Sequence, residues 1–308
     1  LLLRPPPALA VPLLAALGLG LLLTALCVQH DANHGAFFGR RRYDHLAGWI
    51  ADVVLGFSSY AWRVRHNVAH HTYTNVDGHD MDVTQLPVLR LLPTQPRRPW
   101  HRLQPLYVWP LYSLMALRLQ TYGDVVVLLR RRIGETALHA PRGWDLAGLV
   151  GGKLLFVTWA FALPLLVYPW TTVLAVYLAL VLGLSLTMVI VFQLAHCVED
   201  ADQPAPDALR AERREWAVHE LETTVDFCAG NRPLTWLLGG LNYQIEHHLF
   251  PRLPHTHYPA IAAIVRRNAT ACGLRYTSQP SFAAALGSHV RHLRALSRQG
   301  LPVEIEMG

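Results

Sequence analysis

Charge is scarce in this 308-residue chain: Asp, Glu, Lys and Arg make up 16% of it, against 52% hydrophobic residues. Low charge and long apolar runs point to an integral membrane protein. Cysteine is sparse as well: Cys27, Cys197, Cys228 and Cys272 are scattered with no CxxC pair, which excludes a disulfide framework and a zinc knuckle. Lys153 is the only lysine, an arginine bias of the kind a GC-rich bacterial genome imposes. No GxGxxG follows a strand and no phosphate loop occurs, since "GLVGGK" lies inside an apolar segment. The formal charge of +6 is carried by short arginine clusters beside apolar runs, a distribution that fits membrane topology and not nucleic-acid binding.

Three apolar runs are long enough to cross a hydrocarbon core of about 30 Å: residues 8–28, 147–168 and 171–195. The start "LLLRPPPALA" is not a signal peptide, because the apolar run ends in a histidine motif rather than a cleavage site. Leu1 to Leu3 read as the tail of an upstream apolar helix, with "RPPP" as its turn. "YPWT" joins the second and third runs into a hairpin and has no basic residue, whereas Arg40–Arg42 follow the first run and Arg130–Arg132 precede the hairpin. The positive-inside rule puts the arginine clusters in the cytoplasm. A fourth stretch, residues 46–62, is shorter, contains glycine and carries Asp52. Histidine groups flank both it and the hairpin, and groups that share one site need an even number of crossings between them. The hairpin supplies two, so residues 46–62 are expected to be re-entrant or interfacial. Residues 196–308 then lie in the cytoplasm, and the whole is a single domain: an all-α polytopic membrane helical bundle under a cytoplasmic helical cap.

What the chain has in excess is histidine, 17 in all. His45, His101, His139, His289 and His292 read as ordinary solvated side chains. The motif histidines repeat a spacing: His30 and His34 are four apart in "HDANH", as are His66 and His70 in "HNVAHH". Gln244, His247 and His248 in "QIEHH" stand at i, i+3 and i+4, so each set shares a helical face. His71 should be turned about 100° from His70 on an α-helix. His196 ends the hairpin in "QLAHCVE". Neutral imidazole is the commonest protein metal ligand, and eight of them exceed the four positions of one tetrahedral zinc. Two metal ions are expected. Imidazole suits zinc, copper, iron and nickel alike, so the spacing leaves the metal open.

"HDANH", "HNVAHHTYTN" and "LNYQIEHHLFP", in that order around an apolar hairpin, resemble the three histidine boxes of the membrane fatty-acid desaturases. The glutamine that opens the third box is similar to the front-end branch and its bacterial relatives, and the resemblance runs from about residue 8 to 258. It implies two irons held by His30, His34, His66, His70, His71, His196, His247 and His248. Gln244 would be a weak ligand or hold a water. Asp31, Glu199 and Glu246 become candidates to orient the ligand rings. Asn75, Asp80 and Asp82 in "TNVDGHDMD" resemble a loop-fixing stretch, and His79 within it is not expected to ligate. In "EWAVHELETTVDF", where His219 also lies, Glu220 and Asp226 stand where Gln and Asn are expected.

The implied activity is dioxygen-dependent introduction of a cis double bond into a fatty acyl chain carried on CoA, acyl carrier protein or a lipid. Phe57, Tyr60 and Trp62 would wall the acyl channel. No HPGG-type haem motif occurs in these residues, so electrons are expected from an external donor, a ferredoxin or cytochrome b5 with its reductase. Arg40–Arg42, Arg97, Arg98 and Arg130–Arg132 could dock such a carrier, though topology alone explains them. The expected home is the bacterial plasma membrane. Within the superfamily a hydroxylase, acetylenase or ketolase uses similar ligands. A membrane zinc hydrolase would need fewer histidines, and a metal transporter would place its ligands near the midplane of its spans.

Overall fold

The computed structural model describes residues 4–84, 87–134, 136–206 and 215–298. Leu1 to Leu3, the expected end of an upstream helix, lie outside the described residues. Among the described residues three helices are long and apolar enough to cross a membrane: α1 (Pro7–His34), α5 (Trp144–Leu165) and α6 (Trp170–His196). Pro7 starts α1 at a position where its missing N–H costs nothing. α1 has 28 residues and α6 has 27, so each is about 40 Å long at 1.5 Å per residue, longer than a hydrocarbon core of about 30 Å. Both carry histidine at the overshooting end.

Between α1 and α5 lie α2 (Arg41–Leu55), α3 (Ser59–Arg63) and α4 (Gln104–Tyr112). α2 buries Asp44, Ala47, Gly48, Ala51, Asp52 and Leu55, a three-and-four spacing of mostly small side chains that lets its neighbours approach closely. Against it lies α5, with Gly148 under Trp49 and Gly152 under Asp52. Gly56 ends α2 at φ 75°, and a Cβ there would lie 2.6 Å from the Phe156 ring. Only glycine meets both demands. At this break Asp52 accepts from the Ser59 amide (2.9 Å), the Ser59 hydroxyl (2.5 Å) and Gln29 Nε2 (2.9 Å). Residues 46–62 are therefore two helices meeting at a turn, with histidines of one cluster at both outer ends.

The chain then forms α7 (Trp216–Thr223), α8 (Gln244–Leu249), α9 (Tyr258–Ala271) and α10 (Phe282–Arg298). Strands are minor. β1 (Arg132–Ile133) and β2 (Thr136–Ala137) pair antiparallel. β3 (Asp226–Phe227) and β4 (Ser278–Gln279) pair parallel, with Asp226 opposite Ser278. An apolar cluster of Leu26, Val191, Leu194, Phe227, Leu241 and Ala285 joins α1 and α6 to this C-terminal part.

Three of the histidines expected in solvent are buried instead. His289 donates or accepts at the Cys197 carbonyl (2.7 Å) and the Tyr112 hydroxyl (3.1 Å), and His292 bonds the Leu91 carbonyl (2.9 Å). His101 bonds the Pro87 carbonyl at 2.9 Å. Each ring satisfies a backbone carbonyl that packing removes from water, which offsets the cost of burial. His45 is half-buried and His139 exposed.

Candidate metal centre

Eight imidazoles from four chain segments converge, none more than 8% exposed. The nitrogens of His30, His34, His66 and His247 lie within 4.8 Å of one another, and so do those of His70, His196 and His248. His71 groups with His247 and His248, between the two sets. The four histidine motifs thus meet in one cluster with two lobes.

The local backbone explains the convergence. Residues Thr24–Gln29, just before "HDANH", and Val64–His70, which contain "HNVAH", are π-helical. In the second stretch the His71 amide bonds the His66 carbonyl at 3.0 Å, a five-residue step. On such a wide turn His66 and His71 face the same way, and their Nε2 atoms come within 3.3 Å. The wide turn thus brings His71, expected as a ligand turned away from His70, onto the side of His66. Single π-turns are frequent at functional sites.

Buried carboxylates and a phenol hold the outer nitrogens. Asp80 accepts from His70 Nδ1 at 2.9 Å, and Glu220 meets His248 Nδ1 at 2.6 Å while Thr74 donates to the same oxygen at 2.9 Å. Tyr258 meets His247 Nδ1 at 3.1 Å, and Asp82 stands 3.7 Å from His66 Nδ1. Asp80 also accepts from the amides of Asn75 (3.0 Å) and Asp82 (2.9 Å), so it fixes the loop as expected and supports a ring as well. Asn75, at φ 61°, bonds the His196 and Thr223 carbonyls at 3.0 Å each. His79 stays outside the cluster, against Tyr73.

The three carboxylates singled out in the sequence behave differently. Asp31 lies 3.7 Å from His30 Nδ1 and bonds His255 Nδ1 at 2.8 Å. Glu199 is exposed and pairs with Arg291 at 2.6 Å, because it follows the end of α6 on the side facing α10. Glu246 is buried but points away from the histidines: with Asp226 it receives the Tyr276 hydroxyl, at 3.0 Å and 2.5 Å. On α8 an i, i+1 offset sends neighbouring side chains to different faces, which explains why Glu246 and His247 diverge. Tyr258 is missed in sequence, and Glu220 stands out there only as an acid where glutamine is expected. Glu220 is an acid in the short segment before the third histidine motif, and a buried imidazole needs an acceptor.

Burial pushes His66, His71, His247 and His248 well below the ordinary histidine range, which leaves them neutral and able to ligate. Burial is the largest influence on His70 and lowers it, but the charge and hydrogen bond of Asp80 together with the charges of Asp82 and Glu220 outweigh it and lift that ring to about 9. Glu220 is raised to about 8 by burial. Burial, with Asp226 beside it, raises Glu246 to about 9.

His34, His70, His247 and His248 each leave Nε2 buried without a hydrogen-bond partner, as does Gln244 with Oε1. Gln244 donates to the Leu241 carbonyl at 3.0 Å and lies beside His196. Buried polar atoms are rarely left without partners, and orphaned nitrogens aimed into a common space are what metal ions would satisfy. The donor set fits two ions of the imidazole-binding transition metals. Of the aromatics expected along an acyl channel, Trp62 packs on His30, His34 and His66, with its ring centroid 4.2 Å from His66. Tyr60 bonds the His139 carbonyl. Phe57 is buried with Leu21, Ala51 and Leu55 in the core between α1, α2 and α6.

Comparison with known proteins gives a consistent picture. A family model described as fatty acid desaturase matches residues 5–280. An sn-1 linoleoyl-lipid 6-desaturase from Arthrospira platensis is 34% identical over 283 residues, 91% of this chain and 76% of that protein. A protein of the same name from a Synechocystis species is 34% identical over 297 residues, 95% of this chain and 82% of its own length. An acyl-lipid (8-3)-desaturase from Physcomitrium patens is 36% identical over 275 residues, 87% of this chain and 56% of that protein.

Proposed function

This chain belongs to the fatty acid desaturase family, and we propose that it introduces a cis double bond into a lipid-linked fatty acyl chain. The observation that carries this reading is the two-lobed cluster of eight buried histidines, six of which leave Nε2 unpartnered. His30, His34, His66 and His247 would hold one iron, His70, His196 and His248 the other, with His71 between them and Gln244 beside His196. Two irons bound there supply, with dioxygen, an oxidant able to remove unactivated methylene hydrogens, which no side-chain base can do. The balance is two hydrogens from the chain, two external electrons and two protons for each dioxygen reduced to two waters. Those electrons would come from a ferredoxin or cytochrome b5 type carrier with its reductase.

The protein's part is to place and to exclude. Asp80, Glu220 and Tyr258 fix the rings by their Nδ1 atoms, leaving Nε2 directed inward. Trp62 forms an apolar lid over the first lobe, beside which a methylene chain can lie dry. Basic clusters on the flanks of the spans support a cytoplasmic site in a bacterial plasma membrane, with residues 46–62 folded at the membrane surface and residues 196–308 in the cytoplasm.

Expression in a host fed linoleate, with lipid profiling by gas chromatography and mass spectrometry, tests the reading. The expected result is a fatty acid with one additional cis double bond, and two irons per purified chain. A hydroxylated product with no new unsaturation would move the assignment to the hydroxylase branch. One zinc per chain and no iron would favour a hydrolase.

A further inference from the structure

Two cavities meet at a wall formed by Arg41, His45 and Arg63. One, of about 660 Å³, is polar and reaches His34 and His71 of the histidine cluster. Across it three guanidiniums, Arg41, Arg63 and Arg252, face one carboxylate, Asp44. The other, of about 680 Å³, has a mostly apolar surface from Leu46, Trp49, Tyr60, Trp144 and the carbon stems of its arginines, with Arg41, Arg42 and Arg63 at its basic side and Asp52 and Asp145 as its acids. Not all of this charge is available to a ligand. Arg63 is committed to Asp145 at 2.5 Å, and Asp44 already accepts the Phe38 amide at 2.7 Å. Arg41 and Arg252 have no ion pair among the described residues.

Resting on the acyl-chain reading above, we propose that Arg41 and Arg252 bind the phosphate of a membrane phospholipid whose acyl chain is presented to the histidine cluster. A guanidinium meets phosphate with two parallel N–H donors, and a pair of them beside one partly satisfied carboxylate leaves net positive charge in the polar cavity. The apolar cavity behind the shared wall accepts hydrocarbon from the same molecule. Position selects a bilayer lipid over a soluble thioester. Phe38, Tyr43, Leu46 and Ile50 are exposed around the start of α2, and Trp144, at the mouth of the apolar cavity, is 83% exposed. Aromatic and apolar side chains exposed beside arginine mark the head-group level of a membrane. A phosphate held at that level, next to His34 and His71, keeps the first carbons of an attached chain close to the cluster.

The test uses the full chain in nanodiscs of dilinoleoyl phosphatidylglycerol or of monogalactosyl dilinoleoylglycerol, which carries no phosphate. Native mass spectrometry counts retained lipid, and product analysis follows each lipid class. The phospholipid should be retained about tenfold more tightly than the galactolipid, the size of one charge-assisted bond pair. Arg41→Gln with Arg252→Gln should cut that preference by about tenfold, and Arg41→Lys with Arg252→Lys should restore most of it by keeping the charge. Because the lysine pair preserves volume and charge, a fold-level defect in the glutamine pair cannot mimic this pattern. Equal retention of the two lipids, an unchanged preference in the glutamine pair, or displacement of the phospholipid by equimolar linoleoyl-CoA would each overturn the proposal. The two readings fail separately. Phosphate-dependent retention without any new double bond, in iron-loaded protein supplied with dioxygen, NADPH, ferredoxin and its reductase, removes the desaturase reading and leaves the site. Double bonds formed alike in both lipids remove the site and leave the desaturase.

Discussion

Replacing Asp80 by Asn tests whether the carboxylates around the cluster govern metal affinity. Asp80 is fully buried, and its two oxygens take three donors: His70 Nδ1 at 2.9 Å, the Asn75 amide at 3.0 Å and the Asp82 amide at 2.9 Å. Asparagine copies the shape but has one acceptor oxygen. If that oxygen serves His70 and Asn75, its NH2 group confronts the Asp82 amide and leaves a buried donor orphaned, at about 1–3 kcal/mol. The two retained bonds also lose charge assistance, which roughly halves them. If the amide turns the other way, its NH2 faces Nδ1 of His70, the ring changes tautomer, and the proton moves to Nε2, where it blocks ligation. Either arrangement predicts a loss of roughly 2–4 kcal/mol in stability and a fall of about 10–100-fold in metal affinity. The assay dialyses purified wild type and Asp80→Asn against graded chelator and counts iron per chain by plasma mass spectrometry, with thermal unfolding in parallel. An unshifted chelator midpoint with an unchanged unfolding temperature would refute the reasoning.

Further outcomes follow from the same geometry. His247→Ala removes a ligand from two overlapping groups, so turnover should vanish and iron should drop below two per chain; full iron with normal turnover would refute the assignment. Glu199→Gln, at the exposed pair with Arg291, should change stability by only about 0–1 kcal/mol and leave iron content intact. Gly239→Ala puts a Cβ 2.6 Å from the Leu26 carbonyl at φ 58°, so folded protein recovered in detergent should fall sharply while Gly230→Ala, in open space, provides the comparison for a positive φ alone. Burial lowers His289 to about 4, below its unfolded value of about 6.5. The folded state therefore binds fewer protons than the unfolded one in that window, so α10 docking is fully stabilised above about pH 6.5 and loses up to ~3 kcal/mol as pH falls through 4. Hydrogen exchange of residues 282–298 should accelerate across that range and be flat in His289→Gln.

Periodicity made much of this site legible. Continuous apolar runs marked the three long helices, and the four-residue spacing of imidazoles marked the cluster, because both signals are local and repeat. Long-range pairing left weaker traces. Glu220 reaches His248 across 28 residues and Asp80 reaches His70 across a loop of ten, whereas Glu246 and Glu199, close to ligands in sequence, point elsewhere. Proximity along a helix fixes direction as well as distance, and one residue of offset is enough to aim a side chain at a different neighbour. The burial of His289 and His292 was equally invisible, because it depends on α10 covering carbonyls of segments about 90 and 200 residues away.

The wide turn at Val64–His70 has a practical corollary for anyone moving this motif between proteins. Shortening that stretch by one residue would restore ordinary helical pitch and rotate a ring out of the constellation without altering a single histidine. A designer who copies the letters "HNVAHH" onto a straight scaffold would inherit fewer usable imidazoles than the spelling promises. The transferable unit is the letters together with the overwide coil that carries them.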